Sequence, residues 1–217
     1  MKRVAFVVMV IVLVLSAAAA GGCSKKKYDL VVSISGQGST DPSVGIHKYE
    51  QGRSVTITAM PSGAWELDSW SGDASGSDTT ITVLMDRDKA VTVNFSLPQS
   101  RSLVNGTLAI SAGNHYDVQF SVATNTMHDV TITGTFTASG GSGNDVEVYL
   151  FSAADYANWA NGHAFAVLYS SGRVTAASID IPITSSGDYH LVYSNEFSWI
   201  STKSVSTSVD LKYSELT

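Results

Sequence analysis

Three kinds of side chain in the sequence have types and spacings that could support chemistry. The single cysteine, Cys23, carries a thiol that acylation can convert into a lipid anchor. Asp145 and Glu147 lie two residues apart, so a strand would place both carboxylates on one face. A carboxylate pair on an outward strand face is usually solvated, so we do not predict acid–base catalysis from it. The third kind is a set of aromatic residues in the C-terminal half.

The remaining polar residues show no pattern of a catalytic or metal site. The five histidines follow no metal-ligand spacing: His47, His115, His128, His163 and His190. No Gly-x-Ser-x-Gly sequence is present, and the one cysteine excludes both an internal disulfide and a cysteine-rich metal site. We therefore expect no enzymatic activity, no metal and no cofactor.

The aromatic set leaves two interpretations open. Its members are Tyr156, Trp159, Phe165 and Trp199. Aromatic faces on one exposed surface would stack against sugars, which predicts a carbohydrate-binding module. Aromatic residues between strands and loops also fill the cores of β-sandwiches, and this second interpretation predicts buried rings instead.

Charge excludes one class of partner. The chain carries a net charge of −6, and removing Lys2 and Arg3 with a leader leaves 11 basic against 19 acidic residues, a net charge of −8. Nucleic-acid-binding proteins need basic surfaces, so we expect no nucleic-acid partner.

The N-terminal residues have the organisation of a signal peptide. Two basic residues precede an apolar run that ends at Leu15, and small residues continue to Gly22. With Cys23 next, this stretch resembles the signal peptide of a bacterial lipoprotein. The resemblance implies that residues 1–22 are removed and that Cys23 carries acyl chains, such as palmitate, at the outer membrane or cell surface. The alternative is an uncleaved membrane anchor, because residues 4–22 nearly reach bilayer-spanning length.

The residues after the cysteine form a short basic spacer, 23–27. Each of Lys25, Lys26 and Lys27 would contribute on the order of 1 kcal/mol beside anionic lipid headgroups. A solvated spacer is the simpler interpretation. In either case we expect the body of the protein to lie outside the cytoplasm.

Residues 28–96 alternate between apolar and polar side chains, and turn residues separate the alternating runs. Val55, Ile57 and Ala59 fall on one face of a predicted strand, which Pro61 ends. The segment resembles the divergent internalin-type B-repeat of bacterial surface proteins. The resemblance rests on Gly36-x-Gly38-x-Thr40-x-Pro42, Tyr49-x-x-Gly52, Val55-x-Ile57-x-Ala59-x-Pro61, Trp70-Ser71-Gly72-Asp73 and Val91-x-Val93-x-Phe95. It implies a small β-rich, grasp-like module that spaces or presents other domains. Trp65 and Trp70 could stack against a carbohydrate, but their place in the framework of the repeat favours the core for Trp70 and at least part of Trp65.

Residues 97–102 interrupt the pattern, and we predict a linker there. Residues 103–217 then contain about eight short strands with turns between them, as expected of an all-β sandwich or jelly roll. Ser152 and Asp155 predict a capped helical turn within this segment. The segment resembles the GOLD domain, a β-sandwich also seen in bacterial envelope proteins. The residues concerned are Asn144-Asp145-Val146-x-Val148-Tyr149-Leu150-Phe151, Tyr169-Ser170-Ser171-Gly172 and Gly187-x-Tyr189-x-Leu191-Val192-Tyr193-Ser194-Asn195.

The sequence thus predicts an all-β, lipid-anchored envelope protein without catalytic activity. Its membrane contact is the N-terminal lipid, and its expected partner is another envelope protein. The alternative is a carbohydrate-binding or adhesion module that uses the four aromatic residues.

Overall fold

Strands make up about two-thirds of residues 25–141 and 143–215, which are the part of the chain that the computed structural model describes. The all-β class predicted from the sequence is therefore confirmed. The predicted signal peptide and Cys23 lie outside the described residues. The strands are β1 (Lys27–Ser35), β2 (Gly38–Asp41), β3 (Gly45–Glu50), β4 (Ser54–Pro61), β5 (Glu66–Gly72), β6 (Thr80–Leu84), β7 (Lys89–Ile110), β8 (His115–Val122), β9 (His128–Ser139), β10 (Val146–Ser152), β11 (Tyr169–Val174), β12 (Ala176–Pro182), β13 (Gly187–Ser194) and β14 (Lys203–Glu215), with helix α1 (Ala153–Ala160) between β10 and β11.

The first module contains β1 to β6 and the beginning of β7. Strands β3, β1, β7 and β5 lie in one sheet, and β2, β4 and β6 form a second sheet of three strands. Alternation along β4 buries Val55, Ile57 and Ala59, as predicted, and these residues share one apolar core with Trp70 and Phe95. The indole Nε1 of Trp70 donates to the carbonyl oxygen of Asp78 at 2.8 Å. Trp70 is thus a core residue, and Trp65 packs partly buried against the same core.

The second module is a sandwich of two sheets. One sheet has the order β12, β9, β14 and the C-terminal part of β7, and the other has the order β11, β10, β13 and β8. Their inner faces bury a separate apolar core that includes Ile132, Phe136, Leu150, Leu191 and Leu211. Each module therefore has its own core.

A single long strand, β7, runs through both modules. Its first part pairs with β1 in parallel and with β5, and residues 97–110 pair with β14. The linker predicted at 97–102 is therefore wrong for these residues, because they lie in a hydrogen-bonded strand. The linker was predicted because Pro98 cannot donate a backbone hydrogen bond. Pro98 lies opposite Ser214 of β14, and at this residue β14 is the one described strand that pairs with β7. The other side of β7 is therefore an edge there, and an edge strand tolerates the missing N–H.

Helix α1 covers the outer face of the sheet that contains β10 and β13. It begins where predicted: the Ser152 hydroxyl accepts from the backbone N–H of Asp155 at 3.2 Å and donates to its carboxylate at 2.7 Å. The Asp155 carboxylate also accepts from the N–H of Ala166, so it holds the chain that leaves the helix. These bonds fix the helix and its following loop on the sheet.

Among the described residues, no helix is both long enough and apolar enough to cross a membrane.

Candidate functional site

The loop between β13 and β14, residues 195–202, is held by one buried side chain. The Asn195 amide donates to the carbonyl oxygens of Ile110, Ser111 and Ser201, at 3.1, 3.2 and 2.8 Å. Its backbone N–H donates to Asn114. Because Asn195 has no exposed surface, these bonds compete little with water, and they fix both ends of the loop.

Two apolar residues stand at the outer end of this loop. The Ser198 hydroxyl accepts from the N–H of Ser201 at 3.2 Å and donates to its carbonyl oxygen at 3.1 Å, which closes a bend around Trp199 and Ile200. These two residues are 94% and 93% exposed. Bends of this kind normally carry Gly, Asn, Asp, Ser or Pro, so folding alone does not account for this pair. We call Trp199 and Ile200 the tip.

A cleft of about 380 Å³ lies beside the tip. It is lined by Asp145, Arg173, Phe197, Ser198, Trp199, Ile200, Ser201 and Lys203. The Arg173 guanidinium lies 3.9 Å from the centre of the Phe197 ring, and its Nε is 3.4 Å from the Glu147 carboxylate. The cleft therefore combines an aromatic wall with an accessible cation.

An ion pair forms one side of the cleft. The Lys203 ammonium donates to the Asp145 carboxylate at 2.9 Å, and the Lys203 side chain is only 2% exposed. The hydrogen bond from Lys203 is the largest of the causes that lower the pKa of Asp145 below its ordinary value. The pair ties the start of β10 to the start of β14 beneath the tip.

The other three predicted aromatic residues lie elsewhere, around helix α1. The rings of Tyr156, Trp159 and Phe165 all contact the buried ring of Phe151, with centroid separations of 6.3, 5.3 and 5.8 Å. Tyr156 and Trp159 are half-buried, whereas Phe165 is exposed. The structure thus brings three of the four predicted residues together as packing for the helix, and it leaves Trp199 apart from them.

Histidine side chains complete this aromatic cluster. The His190 ring stacks on Tyr156 with a centroid separation of 3.9 Å, and its Nδ1 lies 3.0 Å from the Asp117 carboxylate. His115 contacts the Trp159 ring at 4.8 Å and lies 2.9 Å from the Glu196 carboxylate. Both histidines therefore hold α1 against the sheet through ring contacts and polar contacts.

The carboxylates that the sequence placed on one strand face have separate partners. Asp145 pairs with Lys203, and Glu147 accepts from the Tyr149 hydroxyl at 2.9 Å. Burial first, and then Glu147, raises the pKa of Tyr149 to about 12. Within residues 25–141 and 143–215, no group of three or more His, Cys, Asp or Glu side chains could hold a metal ion. The arrangement at the tip is suited to binding by apolar contact.

The sequence analysis named Trp199 of the tip and missed Ile200. Ile200, Arg173 and Lys203 lie in no motif that would have singled them out, and Asn195 appeared only among the residues of the GOLD resemblance, with no role assigned to it. A usable signal was present in Ser198-Trp199-Ile200-Ser201, because two large apolar residues between two serines contradict the composition of a bend.

The first module has a recognisable family. Residues 28–99 match the family model of the divergent InlB B-repeat domain. This match confirms the repeat predicted from the motifs, and it covers about a third of the chain. A comparison with curated proteins found no match. The B-repeat hints at a surface protein-interaction module. The tip lies outside the matched residues, in the second module.

Proposed function

We propose that this chain is a lipid-anchored protein of the bacterial cell envelope that binds another protein through the tip and has no catalytic activity. The B-repeat module spaces the second module from the membrane, and the second module presents the tip. The observation that carries the proposal is the exposure of Trp199 and Ile200 on a loop fixed by Asn195.

Energetics favour a binding role for the tip. Burying a large apolar side chain contributes about 1.5–3 kcal/mol, so covering both residues would supply several kcal/mol to a complex. Tryptophan is also among the residues enriched at the energetic centres of protein interfaces. Because the loop is already ordered by internal hydrogen bonds, binding would lose little conformational entropy there.

The neighbouring cleft adds a polar component. Arg173 is half-exposed, and it stacks on Phe197 beside the tip. A partner with an apolar pocket and an acidic rim would meet both features at once. This chemistry fits a protein surface better than a sugar, because Ile200 offers no stacking face.

Carbohydrate binding is the second candidate, and one observation favours it. Trp199 presents an almost fully exposed ring beside polar residues of the cleft, as sugar-stacking residues do. The sequence allowed a platform of four aromatic residues for sugar binding. Three of them pack around α1, so Trp199 alone would provide the stacking ring. A glycan array that compares the wild type with Trp199→Ala tests this candidate, and Trp159→Ala serves as a control outside the tip.

Site-specific photocrosslinking tests the proposed function. The photoreactive amino acid benzoylphenylalanine would replace Trp199 in the full chain, expressed in a bacterium that processes lipoproteins. We expect light-dependent adducts that add the mass of a whole protein. The same amino acid at Ser206, which is exposed on the outer face of β14, is the control and should give none. Adducts with lipid alone, or none from position 199, would refute protein binding.

The anchor has its own test. Metabolic labelling with an alkyne fatty acid should label the wild type and should leave the Cys23→Ser variant unlabelled. Label that persists in the variant, or that is missing from the wild type, would contradict acylation at Cys23.

A further inference from the structure

One end of the first module carries cations that have no carboxylate partner among the described residues. Lys26 and Lys27 lie where β1 begins, Arg53 follows the turn after β3, and all three side chains are exposed. We call these three residues the basic end. The carboxylates around them are engaged elsewhere, in the pairs Glu50–Lys25, Asp29–Lys48, Asp86–Lys89 and Asp73–Arg87 and in a hydrogen bond from the N–H of Asp29 to Asp88.

Two tyrosine rings position cations of the basic end. Tyr28 of β1 and Tyr49 of β3 are paired across the strands, and both pack half-buried against the core of the first module. The Lys26 ammonium lies 4.8 Å from the centre of the Tyr28 ring. The Arg53 guanidinium lies 5.7 Å from the centre of the Tyr49 ring. Because an aromatic face carries no net charge, both contacts leave the positive charge available to a partner.

The chain connects the basic end to the predicted lipid anchor through very few residues. Cys23 is three residues before Lys26, and three residues span at most about 11 Å. An acylated Cys23 would therefore keep Lys26 within about one screening length of the membrane, which is about 10 Å at roughly 0.1 M salt. At such distances the surface potential of anionic lipids attracts lysine and arginine.

The direction of the strands suits a membrane at this end of the module. Strands β1 and β7 are parallel, with Leu30 opposite Lys89 near the basic end and Ser35 opposite Asn94 farther from it. Beyond Asn94, β7 continues to Ile110 in the second module. A membrane placed against the basic end would thus have β7 leading away from it, towards the second module.

We propose that the basic end docks on the phosphates of anionic phospholipid headgroups, so that the first module stands end-on at the membrane. The inference rests on the proposed function, because it uses the lipid anchor, and it adds the orientation of the anchored protein. Lys26 and Lys27 supply ammonium donors, and Arg53 supplies a planar fork that matches phosphate oxygens. The tyrosine rings beneath them combine an apolar body with a polar tip, as is typical at membrane interfaces.

Fluorescence quenching in reconstituted vesicles tests this orientation. The full chain, expressed with its lipid, would carry Gln51→Cys labelled with a fluorescent dye, because Gln51 is exposed and its N–H donates to the carbonyl oxygen of Lys26. The vesicles contain phosphatidylcholine alone or equal parts of phosphatidylcholine and phosphatidylglycerol, with a headgroup spin-labelled lipid as quencher. We expect strong quenching at position 51 in the anionic vesicles alone. Ser206→Cys, in the second module, should show none, and the wild type checks that Cys23 takes up no dye.

Two variants with the same change of charge separate the basic end from charge in general. Lys26→Gln/Arg53→Gln removes two of its cations. Arg101→Gln/Lys212→Gln removes two exposed cations that also lack a carboxylate partner among the described residues, and it is the control. Each cation near an anionic membrane favours docking roughly fivefold, so the first variant should lower the ratio of docked to undocked protein by about tenfold or more. The control should leave this ratio unchanged.

The outcomes distinguish the docking from the anchor. Quenching at position 51 that requires phosphatidylglycerol, and that Lys26→Gln/Arg53→Gln loses while keeping the circular dichroism of the wild type, supports the docking. Equal quenching in vesicles of phosphatidylcholine alone would overturn it, and this comparison does not depend on any substitution in the basic end. Salt at about 1 M, where the screening length is about 3 Å, should abolish the quenching and leave the protein on the vesicles. Protein that leaves the vesicles at this salt concentration would refute the lipid anchor, and the proposed orientation with it.

Discussion

Replacing Asp145 by asparagine should destabilise the second module more than replacing its partner, Lys203. The ammonium and the carboxylate are 2.9 Å apart, and the side chains are 2% and 25% exposed. Asparagine would leave an almost fully buried ammonium without its counter-ion. Removal of one member of a buried ion pair costs about 3–5 kcal/mol. Because Asp145 is partly exposed, water can replace some of the lost interaction, and we expect a loss of about 2–3 kcal/mol.

The reverse substitution should cost much less. In Lys203→Met an apolar chain of similar length fills the same space, and Asp145 keeps its exposed fraction for hydration, so we expect a change of at most about 1 kcal/mol. Asp145→Asn added to Lys203→Met should then be almost neutral. The assay is urea unfolding followed by circular dichroism at pH 7. The reasoning is refuted if Lys203→Met is the more damaging single change, or if the two effects simply add.

Acidification gives an independent check of the same pair. The folded-state pKa of Asp145 is lowered, chiefly by the hydrogen bond from Lys203. A carboxylate of this kind stabilises the fold fully above its unfolded-state pKa, near pH 4, and the contribution disappears as pH falls through the lowered pKa. The Asp145→Asn variant should therefore lose less stability than the wild type between pH 4 and pH 2. Equal losses in both proteins would contradict this assignment.

Three other predictions concern helix α1, strand β9 and the first module. Ser152→Ala removes the cap of α1 and should cost about 1 kcal/mol, with a loss of near-ultraviolet circular dichroism from the aromatic cluster, whereas Ser152→Thr should retain most of both. Gly134→Ala should destabilise by about 1–3 kcal/mol in urea unfolding, because a Cβ there would press against the carbonyl oxygen of Ser208 and against Val209, with which Gly134 pairs. In the first module, the hydrogen bond from the N–H of Ala90 and then nearby cations lower the pKa of Asp73. Asp73→Asn should therefore weaken the fold at pH 7, and its effect should shrink as pH falls through that lowered pKa. A difference in stability between variant and wild type that stays constant from pH 7 to pH 2 would contradict this.

The sequence predicted most of the local structure because local structure depends on neighbouring residues. Alternation in Ser54–Pro61 defined β4 and its buried face, and the Ser152 hydroxyl defined the start of α1. The prediction was wrong at residues 97–102, where proline and polar residues are typical of a linker. Whether such a segment is free or paired depends on β14, which is more than 100 residues away in the chain.

The candidate site was less accessible to sequence reasoning for the same physical reason. Trp199 is exposed and Trp159 is half-buried, but in the sequence both are tryptophans near turns and cannot be told apart. Trp159 is half-buried because its ring packs on Phe151 of β10 and His115 of β8. The residues next to Trp159 in the sequence do not indicate either contact. The pair of Asp145 and Lys203 likewise joins positions 58 residues apart. Contacts of this kind depend on how the strands are arranged in the sheets.

Because strand β7 is continuous through both modules, it can transmit a mechanical force from one module to the other. A force on the N-terminal end of β1 passes through its parallel ladder with residues 89–94 into β7, and from there along covalent bonds into the sheet of the second module. The backbone from Lys89 to Ile110 is already extended, with roughly 70 Å of contour length, so it offers almost no slack. A force applied to the second module would therefore reach β1 as tension, without first extending a coil between the modules.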